Sequence, residues 1–198
     1  MISVNNFYNK LFKINITSNS TSILIMFWND ILLFGMNYLV SICFEQLIHS
    51  FAHNRKYGGQ LYQWHRLHHL DYPPHKTQSK EYINSGEGIL ENLFLYSILG
   101  TDMLLFPFVS YRTFLFFLSQ TTLYAFTVNY FHRQYHTEDS YWNQYQWYRK
   151  KRDYHLLHHK RKHCNMGFSS YYIDKLRGMY LSPKNTIIDA NDCRNPSS

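Results

Sequence analysis

The chain has no glycine-rich GxGxxG fingerprint, no P-loop and no GxSxG elbow. The sequence marks of dinucleotide binding, nucleotide-phosphate binding and serine-hydrolase chemistry are therefore missing. Its three cysteines, Cys43, Cys164 and Cys193, are widely spaced and form no CxxC pair. That pattern is not a disulfide framework or a zinc finger, and it fits a reducing compartment or packing roles. The first 22 residues are polar and lack the basic-then-apolar order of a cleavable signal. Acidic residues are outnumbered, 13 against 20 Lys and Arg, giving a formal charge of +7 and a pI near 9.2. A nucleic acid or an anionic membrane could each match that charge. At 198 residues there is room for one domain and not for two full enzyme domains.

Long apolar runs are present. The first, 31-ILLFGMNYLVSICFEQLI-48, extends backwards through 23-ILIMFW-28, with Asp30 as an interruption or cap. The second is 93-LFLYSILGTDMLLFPFV-109 and the third 113-TFLFFLSQTTLYAFTVNYF-131; only 110-SYR-112 separates them, which reads as a helical hairpin with a tight turn. Each is close to the roughly 20 residues that cross a bilayer. Glu45 and Asp102 would each cost about 3 kcal/mol at its centre. The competing reading is a soluble α protein with buried helices, in keeping with a mean hydropathy of −0.41.

Charge placement favours the membrane. If all three runs span, residues 49–88 and 132–198 share one side and carry seventeen of the twenty Lys and Arg, leaving Lys10, Lys13 and Arg112 opposite. By the positive-inside rule the first side is cytosolic. Two glycosylation sequons, at Asn15 and Asn19, fall on the far side.

All twelve histidines lie on the cytosolic side so defined. His49 and His53 form HxxxH at the end of the first run, and His65, His68 and His69 form HxxHH soon after. His132 and His136 repeat the HxxxH at the end of the third run; His155, His158 and His159 repeat the HxxHH. Residues three and four apart share a helix face, so each box offers its imidazoles to one place. Ten imidazoles exceed what one ion uses and suit two ions side by side; imidazole serves Zn, Cu, Fe and Ni alike. His163 lies one turn beyond the last box as a group that could support a ligand, and His75 reads as a loop residue. The basic residues around the last box, Arg149 to Arg152 and Lys160 to Lys162, read as a stripe facing lipid headgroups, which removes the need for a nucleic-acid partner.

This arrangement resembles the fatty acid hydroxylase superfamily, which includes sterol desaturases and sterol methyl oxidases, and most closely its sphingolipid fatty-acid 2-hydroxylase branch. The likeness is carried by 45-EQLIHSFAH-53, 65-HRLHHLDYPP-74, 132-HRQYH-136 and 151-KRDYHLLHHKRKHCNMGFSSYYIDKLRG-178, with Asn165, Gly167, Phe168, Asp174 and Gly178 matching the family's closing motif. The resemblance implies an all-α fold of integral membrane helices under a cytosolic helical cap that holds a dimetal site. Three helices are clear here; the family usually has four, and the first is either missing or replaced by residues 1–28. It divides the chain into a polar segment 1–22, a membrane domain 23–180 and a polar tail 181–198. It further implies two irons on the ten histidines, with zinc as the alternative as isolated, and O2-dependent hydroxylation of a lipid drawn from the bilayer. Electrons would come from a cytochrome b5-type donor at the cytosolic face, and a eukaryotic member would reside in the endoplasmic reticulum. Sterol desaturation or C-4 methyl oxidation, and metal binding without catalysis, are the rival outcomes. The stretch 75-HKTQSKEYINSGE-87 departs from the arginine-containing segment of the 2-hydroxylases, and no HPGG haem motif is present.

Around the boxes, Glu45 and Asp153 could accept the second N–H of a ligating imidazole, while Asp71 and Asp174 read as structural. Trp64, Trp142, Trp147, Tyr148 and Tyr154 read as interface aromatics ahead of pocket residues.

Overall fold

The structure is a computed structural model that describes residues 4–85, 95–96, 99–104 and 106–183, with residues 4–23 and 26 described by backbone alone. Among these residues the chain is helical, with one isolated bridge between Ser79 and Thr137 and no strand. The helices are α1 (Val4–Ala52), α2 (Gly59–Asp71), α3 (Tyr111–Tyr135), α4 (Gln146–Lys160) and α5 (Tyr172–Leu176); single 3-10 turns occupy Phe106–Phe108 and Tyr141–Gln144. The chain divides into two compact units, Met1–Leu39 and Val40–Ser198. The tail from residue 184, with Cys193, lies outside the described residues.

α1 passes through Asp30 without a break, so Asp30 neither interrupts nor caps it. A surface aspartate costs a helix only about 0.7 kcal/mol, and the surrounding Ile, Leu and Phe outweigh that. Within α1, Phe27–Ala52 is long and apolar enough to cross a membrane: 26 residues with a mean hydropathy of 1.7. Its length is about 39 Å at the α-helical rise, enough for the roughly 30 Å hydrocarbon core. Only 28% of this stretch is buried, whereas a core helix of a soluble protein is mostly covered. In the first unit Leu24, Phe27, Trp28 and Leu32 are all more than half exposed.

The second apolar run lies partly outside the described residues. Its described part is helical over 99–104 and ends in the Phe106–Phe108 turn, where Pro107 withholds a backbone N–H. The reversal therefore falls at 106–110 and not at 110-SYR-112. Tyr111 and Arg112 already belong to α3, because the Ser110 hydroxyl caps it by accepting from the Thr113 N–H at 3.1 Å. α3 buries a stripe at Phe114, Phe117, Thr121, Ala125 and His132, the helical period. Its other face is also apolar: Leu115, Leu123, Phe126 and Tyr130 are exposed. Ala125 packs fully buried against Phe44 and Ile48 of α1. The two acids expected to be costly in lipid are enclosed. Glu45 is 3% exposed, and Asp102 is 2% exposed and bonded to the Thr121 hydroxyl.

The link from α1 to α2 is a tight reversal. Asn54 accepts the backbone N–H groups of Lys56 and Tyr57 through its side chain, and Gly58 donates to the Asn54 carbonyl at 2.7 Å. A Cβ on Gly58 would lie 2.3 Å from the Phe51 carbonyl, so only glycine fits this approach. The segment after α2 runs past the end of α3, with Ser79 exchanging backbone bonds with His136 and Glu138. Asp71 holds Ser85 through two bonds, the structural role its position suggested. Cys43 is a free thiol, and Cys164 is fully buried beside Leu157 and Leu181.

Ala125→Leu should overpack the α1–α3 contact and destabilise the protein by about 1–3 kcal/mol. Leu123→Ala, on the exposed face, should change stability far less. Thermal unfolding of the two variants in detergent checks this; equal effects would contradict the packing described.

Candidate metal centre

Each of the four histidine boxes reaches the last turn of a helix or runs just past it. His49 ends α1 with His53 one turn on; His68 and His69 end α2 with His65 a turn earlier; His132 ends α3 with His136 at its cap; His158 and His159 end α4. Helix C-termini carry partial negative charge and favour a cation. The sequence showed the helical spacing but not this convergence of four C-terminal ends.

All ten boxed histidines meet, in two groups. His68, His132, His136, His155 and His159 form one buried group; His49, His53, His65 and His158 form the other, in which His53 alone is half-buried. Within each group the available nitrogens lie within 4.8 Å of one another. His69 joins the second, its Nε2 3.1 Å from that of His65.

The atoms that face one another are the Nε2 nitrogens. In the first group His136 and His155 approach to 2.9 Å, His68 and His159 to 3.0 Å, and His68 and His132 to 3.2 Å. In the second, His53 lies 2.9 Å from His65 and 3.0 Å from His158, and His49 lies 3.1 Å from His65. The opposite ring nitrogens bond to backbone carbonyls: His49 Nδ1 to Met166 at 2.5 Å, His136 to Thr77 at 2.8 Å, His158 to Cys164 at 2.8 Å and His159 to Tyr72 at 3.0 Å. A carbonyl only accepts, so each of these rings carries its proton on Nδ1 and turns the Nε2 lone pair inward.

Converging lone pairs repel unless a cation lies between them. A metal about 2.1 Å from each imidazole nitrogen sets neighbouring ligands about 3.0 Å apart at right angles and about 3.4 Å apart in a tetrahedron. The nearest spacings, 2.9–3.2 Å, are close to the right-angled value, and the nitrogens of each group all lie within 4.8 Å. Either group could therefore hold a metal ion, the first offering five imidazoles and the second four with His69 beside them.

Protonation would destroy the arrangement. Burial is the main cause pushing His53, His65, His68, His69, His155, His158 and His159 well below the usual imidazole range, and the neighbouring imidazoles add to it. His136 is lowered to about 3 because burial outweighs its bond to Thr77.

The carboxylates act one step removed. Glu45 touches no histidine. It accepts the Phe168 N–H at 2.6 Å, the Ser169 N–H at 3.2 Å and the hydroxyls of Ser169 and Tyr124. Asp174 accepts the N–H groups of Met166 and Gly167 and the Gln46 amide, each at 3.0 Å. Both acids clamp the 165–169 loop to the end of α1, and that loop supplies the Met166 carbonyl to His49. Burial raises the Asp174 pKa, opposed by the bonds it accepts. Asn165 adopts a φ of 53° and ties the loop to the Leu181 backbone in both directions. A Cβ on Gly167 would lie 2.1 Å from the Ser170 carbonyl. α5 ends in a Schellman motif, with Gly178 at φ 67° and the Met179 N–H bonded to the Asp174 carbonyl.

Other positions depart from the sequence reading. Asp153 is exposed and pairs with Arg152 at 2.9 Å. Tyr148 and Tyr154 are buried, Tyr148 packing on Tyr135 behind His155, so they are core residues and not interface aromatics. His75 and His163 are both exposed and belong to neither group. Two contributors were missed. Tyr72 stacks on His136 at 4.0 Å, and Phe168 lies 4.8–5.0 Å from His49, His132 and His155, touching both groups. For Tyr72 the sequence signal was only its proximity to a histidine box, whereas Phe168 stands in the closing motif that carries the resemblance.

The profile of the fatty acid hydroxylase family matches residues 8–179, most of the chain. No curated protein and no solved structure matches it.

Unfolded imidazoles titrate near 6.5, so between that value and the lower folded ones the unfolded chain binds more protons. The metal-free protein should therefore lose stability steadily as pH falls from 7 to 5, and metal should displace the loss to lower pH. Thermal midpoints across that range check it; a flat profile would contradict neutral buried imidazoles. Asp174→Ala, by freeing the loop behind His49, should weaken metal binding by the second group about tenfold or more. Titration against a competing chelator measures this, and unchanged affinity would remove Asp174 from the support.

Proposed function

The chain belongs to the fatty acid hydroxylase family, and we propose that it is a membrane-bound non-haem diiron oxygenase that hydroxylates a lipid acyl chain. The observation that carries this reading is the pair of buried imidazole groups with inward Nε2 atoms at right-angled ligand spacing. His68, His132, His136, His155 and His159 hold one ion; His49, His53, His65, His69 and His158 hold the other. When bound, the irons supply the oxidant that amino-acid side chains lack, so that O2, two electrons and two protons convert a C–H bond to C–OH and release one water.

The protein's own groups do the positioning. The carbonyls of Tyr72, Thr77, Cys164 and Met166 fix the rings of four ligands. Glu45 and Asp174 hold the loop that carries the Met166 carbonyl. Phe168 contacts rings of both groups, which makes it the side chain best placed to line the substrate's reacting carbon. Phe27–Ala52 and α3 present apolar outer faces to the bilayer, and a lipid reaches the histidines between them without crossing water. The histidine side is cytosolic on the positive-inside rule. An external one-electron donor of the cytochrome b5 type docks there, since the chain carries no nicotinamide or flavin fingerprint.

Cells expressing the wild-type chain should contain a hydroxylated acyl lipid that disappears with His159→Ala, and the purified wild type should bind about two metal ions. Lipid mass spectrometry and metal analysis check both. A sterol product would redirect the substrate assignment. Identical lipid profiles with full metal loading would overturn the oxygenase reading.

A further inference from the structure

One cavity adjoins the second histidine group and has no part in the function proposed above. It measures about 190 Å³ and is walled by His53, His65 and His69 on one side and by Arg66, Lys162 and His163 on the other. That is far above the roughly 15 Å³ that one water needs. No carboxylate lines it, and neither Arg66 nor Lys162 forms an ion pair with a carboxylate among the described residues. His65 and His69 are 2% and 4% exposed, and their Nδ1 atoms are buried with no hydrogen-bond partner in the protein.

We propose that this cavity is a binding site for a small oxyanion, a phosphate or carboxylate group held by Arg66, Lys162 and His163 against the second histidine group. An unpaired guanidinium and an unpaired ammonium facing one water-accessible space draw an anion, and the guanidinium fork matches an oxyanion's paired oxygens. The imidazole wall brings no competing negative charge. The anion would offset the positive charge of an occupied metal group next to it and shield that group from bulk water. His163, outside both ligand groups, acquires a role as a wall of this site. The inference rests on the proposed metal centre for the anion's purpose, but not for its recognition. The same oxyanion chemistry is available from free phosphate and from a lipid phosphate headgroup.

The test is equilibrium dialysis of the full chain in detergent against inorganic phosphate, with metal content measured in parallel. Wild type should bind one phosphate saturably, and Arg66→Gln with Lys162→Gln should weaken that binding at least about tenfold. Both side chains are exposed, so the variant should keep its fold and its metal. In protein loaded with a paramagnetic divalent ion, phosphorus NMR should show relaxation enhancement of the bound phosphate. Absence of saturable binding, unchanged affinity in the double variant, or bound phosphate without enhancement would each overturn the site. Competition by a short-chain phosphatidic acid at lower concentration supports the site with a lipid headgroup as its ligand; displacement only by inorganic phosphate supports it with the free anion. Phosphate binding by a chain that takes up no metal would sustain the anion site while defeating the oxygenase reading.

Discussion

Imidazole nitrogens crowd together inside a buried space, the nearest pairs at about 3 Å and four rings held with the Nε2 lone pair inward, and the rest of the active unit follows from what makes that tolerable. Lone pairs at that distance repel, and protonation to relieve the repulsion would place several positive charges together away from water. A metal ion solves both problems by supplying one concentrated positive charge on which the lone pairs converge. The C-terminal ends of α1, α2, α3 and α4 point the same electrostatic way. An uncharged histidine core has no comparable reason to place every box at a helix end.

From that constraint the support can be read outward. Rings that bind through Nε2 need an acceptor at Nδ1, and four find backbone carbonyls. Two of those carbonyls come from the segment after α4, which lacks regular structure and must be fixed by other means. Asp174, Glu45, Asn165 and the close packing at Gly167 do this, and the bonds of Glu45 to Phe168 and of Gln46 to Asp174 link residues more than a hundred positions apart along the chain. Glu45 thus serves the metal centre without facing it, and a carboxylate that would be costly in lipid is enclosed by four donors. Phe168 rides on the same clamped loop, so the group proposed to face the substrate is positioned by the acids that position the ligands.

Much of this was legible in the sequence, for definite reasons. Histidine spacing of three and four maps directly onto a helix face, so the ten converging residues and their helical setting could be read from the order of boxes alone. The apolar content of α1 and α3 was equally plain. What escaped reading depends on tertiary contact. Backbone carbonyls have no sequence signature, so the acceptors behind the imidazoles were sought among Glu45 and Asp153 and found elsewhere. Asp30 looked like a helix boundary because local patterning weights one charge heavily, whereas an uninterrupted helix absorbs it at little cost. Tyr148 and Tyr154 resemble interface aromatics in composition, and only their packing, Tyr148 on Tyr135 and Tyr154 on Tyr171 and Tyr180, shows them to be core.

The central claim is that the histidine groups are metal sites with more than tetrahedral coordination. X-ray absorption spectroscopy at the metal edge of the purified, loaded protein tests it most directly. The account predicts a first shell of nitrogen or oxygen alone, five or six atoms at about 2.1 Å, with strong outer-shell scattering from imidazole. A sulfur shell near 2.3 Å, or four-coordinate tetrahedral ions, would contradict it.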